Sequence, residues 1–110
     1  MSIKLTLLKS GETVISDAKE LISEGKVCGY LLSKPEVVSI TRSILLTEEE
    51  NANSGQIEIS LSPWMVLSKD KQFPIPPDWI VTIVDPIETV KQMYEEKMNE
   101  NEHQVPITEG

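Results

Sequence analysis

From residue 3 to residue 84 the chain is a series of strand-length apolar runs broken by turn residues, and a helical apolar period appears only after residue 85. That division constrains the fold more than any other feature, because side-chain period separates strands from helices before packing is considered. Ile3, Leu5 and Leu7 alternate on one face of a first strand, 3–8, and Lys9-Ser10-Gly11-Glu12 is a turn in which Gly11 can take positive φ. Residues 13–22 would also suit a helix around Ala18 to Leu21. A tight Ser-Gly turn after a strand usually returns antiparallel, so they are read as a second strand. Ser23-Glu24-Gly25-Lys26 makes the next turn. The runs 27–32 and 37–46 are rich in Val, Ile, Leu and Tyr, with Pro35 between them marking a bulge, bend or edge position.

Glu48 to Gly55 is a polar loop, and Gln56 to Ser62 then alternates, with Ile57, Ile59 and Leu61 on the inward face. The flanking strands and this loop read as a hairpin with a long tip, continued past a kink by Pro63 to Leu67. Residues 68–78 are a rigid, proline-dense connection. Trp79 to Val84 is apolar on both faces apart from Thr82, which predicts a strand that is central or covered by another subunit. Asp85 is the expected N-cap of a helix with Pro86 at its first position and Glu88 completing a capping-box-like pattern. Ile87, Val90, Met93, Tyr94 and Met98 form its apolar stripe, and fraying is expected near Asn99. Five sequential strand segments and one terminal helix predict a mainly β fold, a small curved antiparallel sheet or barrel.

The 110 residues suffice for one modest core. A single Cys and a single His exclude a disulfide scaffold, a Cys/His zinc site and a His-based triad within one chain. Ten basic and 18 acidic side chains give a net charge of −8, which disfavours unaided binding to a phosphate backbone. The acidity is concentrated late: residues 1–45 carry +1 and residues 85–110 carry −5. No apolar run is long enough to span a membrane, and the start does not read as a signal peptide. A reducing, cytoplasmic compartment is the expectation, since lone Cys28 needs no partner.

Phosphate-loop, dinucleotide, nucleophile-elbow and H-E-x-x-H motifs are absent. His103 reads as a solvated residue and Cys28 as a small core residue without a base beside it. Glu48-Glu49-Glu50 reads as a solvated loop tip, because consecutive residues on an extended loop point apart, so no metal or cofactor is expected. Trp64 and Trp79 read as core or interface residues before base-stacking ones. The stripe with Met93 and Met98 reads as the face that docks on the sheet.

In its arrangement the chain resembles the Sm-like (LSm) family. Leu8-Lys9-Ser10-Gly11-Glu12-Thr13-Val14 is similar to the first family motif, in which a strand ends in Leu, two polar residues and Gly before a second strand. Ile75-Pro76-Pro77-Asp78-Trp79-Ile80-Val81-Thr82-Ile83 has the length and apolar positions of the second. Gly29-Tyr30-Leu31-Leu32 and Pro63-Trp64-Met65 look like segments of the short Sm-like proteins of marine tailed phages. Pro76-Pro77 stands where the family has Arg-Gly, and the family's Asp-x-x-x-Asn element is absent, so its uridine pocket does not carry over.

The resemblance implies a strongly bent five-stranded antiparallel Sm-like barrel over residues 1–84, and the residues after it predict a C-terminal α-helix over 85–100 packed on or beside the barrel and a flexible tail over 101–110. The resemblance implies a protein that assembles into a cyclic homo-oligomer, with single-stranded RNA or a protein as further partner, and the lack of a nucleophile–base–orienter set predicts that it is not an enzyme. In such rings the fourth and fifth strands of neighbours pair edge to edge. Here that selects Ile57, Ile59 and Leu61 with Trp79, Ile80, Val81 and Ile83. A single-chain alternative has the C-terminal helix covering strand 79–84. Lys34 and Arg42 are the candidate RNA donors. The competing reading is an assembly scaffold without the RNA pocket. If the protein is phage-encoded, its compartment is the host cytoplasm.

Overall fold

The structure, a computed structural model, describes residues 2–43 and 56–103, with backbone alone for 42, 43, 56 and 100–103. Six strands and one helix follow in chain order: β1 (Ile3–Leu8), β2 (Thr13–Ser23), β3 (Lys26–Ser43), β4 (Gln56–Pro63), β5 (Gln72–Ile75), β6 (Ile80–Val84) and α1 (Glu88–His103). All six strands join one antiparallel sheet with the path β4-β3-β2-β1-β6, and β5 pairs β3 off that path.

The mainly β class and the terminal helix agree with the sequence, but a closed five-stranded barrel does not form. β4 and β6 end the path and do not pair with each other. The sixth strand comes from the proline-dense connection: Tyr30 to Ser33 of β3 take Gln72 to Ile75 as partners. Pro74 is tolerated there because β5 has a neighbour on one side only.

The turns follow their residue chemistry. Gly11 (φ 95) closes the β1–β2 hairpin, its N–H donating to the Leu8 carbonyl oxygen at 2.9 Å. Glu24 (φ 54) and Gly25 (φ 78) make the two-residue β2–β3 turn, both with the positive φ that such a tight hairpin requires.

Alternation places the apolar residues on both sheet faces, giving two core clusters. On one face Ile3 and Ile15 pack with Val90 and Tyr94 of α1, joined by Leu5, Val38, Ile59, Leu61 and Met98. On the other, Leu8, Val14, Leu32 and Ile75 pack together, with Trp64, Phe73 and Ile80 at the margin. Each fully buried aliphatic side chain contributes about 1.5–3 kcal/mol. Val90, Tyr94 and Met98 of the helical stripe are thus a docking face, as their spacing predicts, whereas Ile87 is exposed and Met93 belongs to neither cluster.

The start of the helix differs from expectation. The Lys91 N–H donates to the Ile87 carbonyl oxygen at 3.0 Å, so Ile87 holds the capping position. Asp85 does not cap, because its carboxylate is held by Lys4 Nζ at 2.5 Å. The helical backbone continues to His103, past the expected fraying point. Cys28 is exposed rather than in the core: it lies near the far end of the β2–β3 hairpin, beyond the reach of β1 and β5. The expectations for Glu48 to Gly55 and for residues 104–110 fall outside the described residues.

Candidate functional site

The bend in β3 organises the first candidate site. Between Ile15 and Asp17 β2 advances two residues while its β3 partners run from Glu36 to Ser33, so β3 carries an extra residue at Lys34-Pro35. Lys34 has φ 52. A residue before proline normally stays extended, and the left-handed region costs a residue with a β-carbon about 1–2 kcal/mol. Other elements hold this conformation. The Lys34 N–H donates to the Lys71 carbonyl oxygen at 2.7 Å, and the Trp64 N–H donates to the Pro35 carbonyl oxygen at 3.2 Å. The Tyr94 hydroxyl donates to the Lys34 and Ser33 carbonyl oxygens, at 2.8 Å and 3.2 Å. Next along the strand, the buried Glu36 carboxylate accepts from Lys97 Nζ at 2.5 Å, and the same ammonium donates to the Leu61 carbonyl oxygen at 2.8 Å.

Burial pushes the Tyr94 phenol up to about 12 from 10.0; the Asp17 backbone opposes that rise, and the Asp17 and Glu36 charges add to it. The phenol therefore remains a donor through the neutral range.

A cleft of about 410 Å³ lies between this bulge, the β4–β5 connection and Met98. Trp64 and Phe73 line it edge to face, with ring centroids 5.7 Å apart, and Trp64 Nε1 donates to Glu12 Oε1 at 3.2 Å. Lys34, Asp70 and Lys71 stand around its mouth. Two cations and two aromatic rings in one cleft suit an anion with a flat or apolar body, and Asp70 in the same lining weakens that preference. No group of three or more His, Cys, Asp or Glu residues suited to a metal ion occurs among the described residues.

The two expected RNA donors are not brought together. Lys34 sits at the bulge, whereas Arg42 is eight positions further along β3, opposite Ile57, about 26 Å away at strand rise.

The two outer edges of the sheet form the second candidate site. Of the expected interface residues on β4, Ile59 and Leu61 pack into the core under α1, and Ile57 is exposed. On the other edge, Trp79 belongs to a 3-10 turn (Pro77–Trp79) that leads into β6, and it is 46% exposed. Ile80 packs at the second core, Ile83 is half-buried beside a cleft shared with Lys4 and Tyr30, and Val81 and Val84 are exposed. The strand read as apolar on both faces is therefore an edge strand within one chain. Among the described residues the core under α1 contains no β6 residue, so it gives no support to the single-chain alternative in which the helix covers that strand.

Sequence reasoning missed Tyr94 as the group that holds the bulge and the Glu36–Lys97 pair. Tyr94 was visible only as one member of an apolar stripe. Glu36 and Lys97 are 61 residues apart, and no local pattern links them.

These features define a β-rich protein with one bent, open antiparallel sheet, a docked terminal helix and a cation-rimmed aromatic cleft. The chain belongs to a family of unknown function (DUF6561), whose model matches residues 1–99. No curated protein matches it. Among the described residues, no helix is long and apolar enough to cross a membrane.

Proposed function

We propose that the protein is a non-enzymatic, self-assembling Sm-like module whose copies join edge to edge, β4 of one against β6 of the next, into a closed homo-oligomer that serves as an assembly scaffold. One observation carries this reading: among the described residues β4 and β6 end the strand path with unpaired outer edges, and they expose Ile57, Val81 and Val84. An uncovered apolar edge invites further strands, and pairing between copies satisfies it. With β5 set aside as a short addition on β3, β4 and β6 take the places of the fourth and fifth strands through which Sm-like neighbours pair.

Single-stranded RNA is the second reading, supported by Lys34 and Lys71 sharing the bulge cleft with Trp64 and Phe73. The net charge of −8 and the missing pocket motif favour the scaffold. In either reading the protein works in the cytoplasm, that of the host if it is phage-encoded.

Native mass spectrometry of protein purified without nuclease tests both. A clean ring of five to seven copies, about 60–86 kDa from a 12.3 kDa chain, is expected. Added nucleotide mass selects the RNA reading, and a 12.3 kDa monomer at all concentrations overturns both.

A further inference from the structure

Met65 and Ser68 close a tight turn just after β4, the Ser68 N–H donating to the Met65 carbonyl oxygen at 3.1 Å. Its two central positions are held by Val66 and Leu67, and Leu67 is 100% exposed. Turn centres favour Gly, Pro, Asn, Asp and Ser for conformational reasons, and two large aliphatics there gain nothing from the turn itself. A residue that breaks a local rule without a local gain points to a contact outside the chain.

Trp79 is in a comparable position. Its backbone is fixed, with its N–H donating to the Pro76 carbonyl oxygen at 3.1 Å and its carbonyl oxygen accepting from the Lys9 N–H at 2.9 Å. Its indole remains half-exposed. A rigidly held aromatic with an uncovered face is the type of residue that anchors an interface.

The two features stand at fixed ends of the two edge strands: the turn follows the C-terminal end of β4, and Trp79 immediately precedes β6. When β4 of one copy pairs antiparallel with β6 of another, the C-terminal end of the first lies beside the N-terminal start of the second. Antiparallel pairing is also the direction of every pair within this sheet. We infer that the Val66-Leu67 turn is a plug that seats on Trp79 of a second copy of this chain. The inference rests on the edge-pairing reading above and adds to it a direction and an anchor. Charge adds little: Lys69, Asp70 and Lys71 after the turn carry a net +1, and Asp78 and Lys9 beside Trp79 cancel, so the contact is an apolar one.

The test uses the full chain. Leu67→Ser removes only an exposed side chain. It is expected to raise the concentration needed for assembly at least tenfold by native mass spectrometry while leaving the thermal unfolding of the dissociated chain unchanged. In a Cys28→Ser background, Leu67→Cys combined with Trp79→Cys is expected to give a disulfide-linked ladder under mild oxidation. Leu67→Cys combined with Ile87→Cys is expected to give none. A ladder from the Ile87 pair alone would mean parallel pairing and would overturn the inference. So would an assembled parent whose Leu67→Ser variant assembles equally well and whose Trp79 pair forms no ladder. A parent that is monomeric at every concentration removes the edge-pairing reading itself, and this inference with it.

Discussion

The hydroxyl of Tyr94 donates to the carbonyl oxygen of Lys34 at 2.8 Å, so the terminal helix fixes a left-handed residue 60 positions earlier in the chain. The contact joins the helix, the bend of β3 and the mouth of the aromatic cleft. Tyr94→Phe keeps the packing and removes the donor, leaving carbonyl oxygens without their partner. It is expected to cost about 1–3 kcal/mol in urea unfolding, and to widen the amide-exchange window of residues 33–36.

The same phenol sets part of the alkaline limit. Its folded value of about 12 stands above the ordinary 10.0, so the folded state keeps a proton that the unfolded chain releases. Its contribution is fully present below pH 10 and is lost as pH rises from about 10 toward 12. The stability of the parent should fall more steeply across that window than that of Tyr94→Phe, as measured by urea midpoints at successive pH values.

Glu36 is 4% exposed and depends on Lys97 for its counter-charge. Lys97→Met strands a buried carboxylate and is expected to cost about 2–3 kcal/mol, a figure kept modest because the lysine is itself partly solvated. Adding Glu36→Gln should restore part of the loss. A double-mutant cycle in which the two substitutions simply add would show that the pair is not coupled.

Thr6 Oγ1 and Ser16 Oγ are buried without a hydrogen-bond partner. Replacing such a hydroxyl with a group of the same shape removes a desolvation penalty. Thr6→Val is expected to stabilise the chain by about 1 kcal/mol in thermal or urea unfolding. A loss of stability would mean that the hydroxyl is satisfied in solution.

On the β6 edge, Val81 is exposed and, at the irregularity between Thr82 and Ile80, has no strand partner among the described residues. Val81→Lys puts a charge on that edge, a device by which natural sheets block pairing. The variant should run as a monomer in size-exclusion chromatography with light scattering and keep the circular dichroism of the parent. Assembly unchanged by the lysine would remove β6 from the interface.

Much of the fold was legible because strand period and turn chemistry are local. Ile3, Leu5 and Leu7 announced β1, Gly11 and Gly25 placed two hairpins, and Val90, Tyr94 and Met98 marked the docking face of α1. The misses are cases where a distant partner decides. Pro74 disguised β5, which exists because β3 offers it an open edge. Asp85 has the chemistry of a helix cap, yet Lys4, 81 residues earlier, takes its carboxylate. Pro35 signalled a break in β3, but the left-handed turn falls on Lys34, held by Lys71 and Tyr94. The apolar content of Trp79 to Val84 was read correctly, while its place at the end of the strand path depends on the whole topology.

The bend at Lys34-Pro35 separates the part of β3 that pairs β5 from the part that carries β4, and β2 pairs across both, so the sheet curves along β3. A subunit with two unlike ends is a wedge, and identical wedges joined head to tail close only when their angles complete a turn; otherwise they grow as a helix. In the edge-paired assembly proposed above, the opening angle of the wedge would set the copy number. The curvature of β3, bulged at Lys34-Pro35 beneath the hydroxyl of Tyr94, would then bear on the number of subunits in the ring.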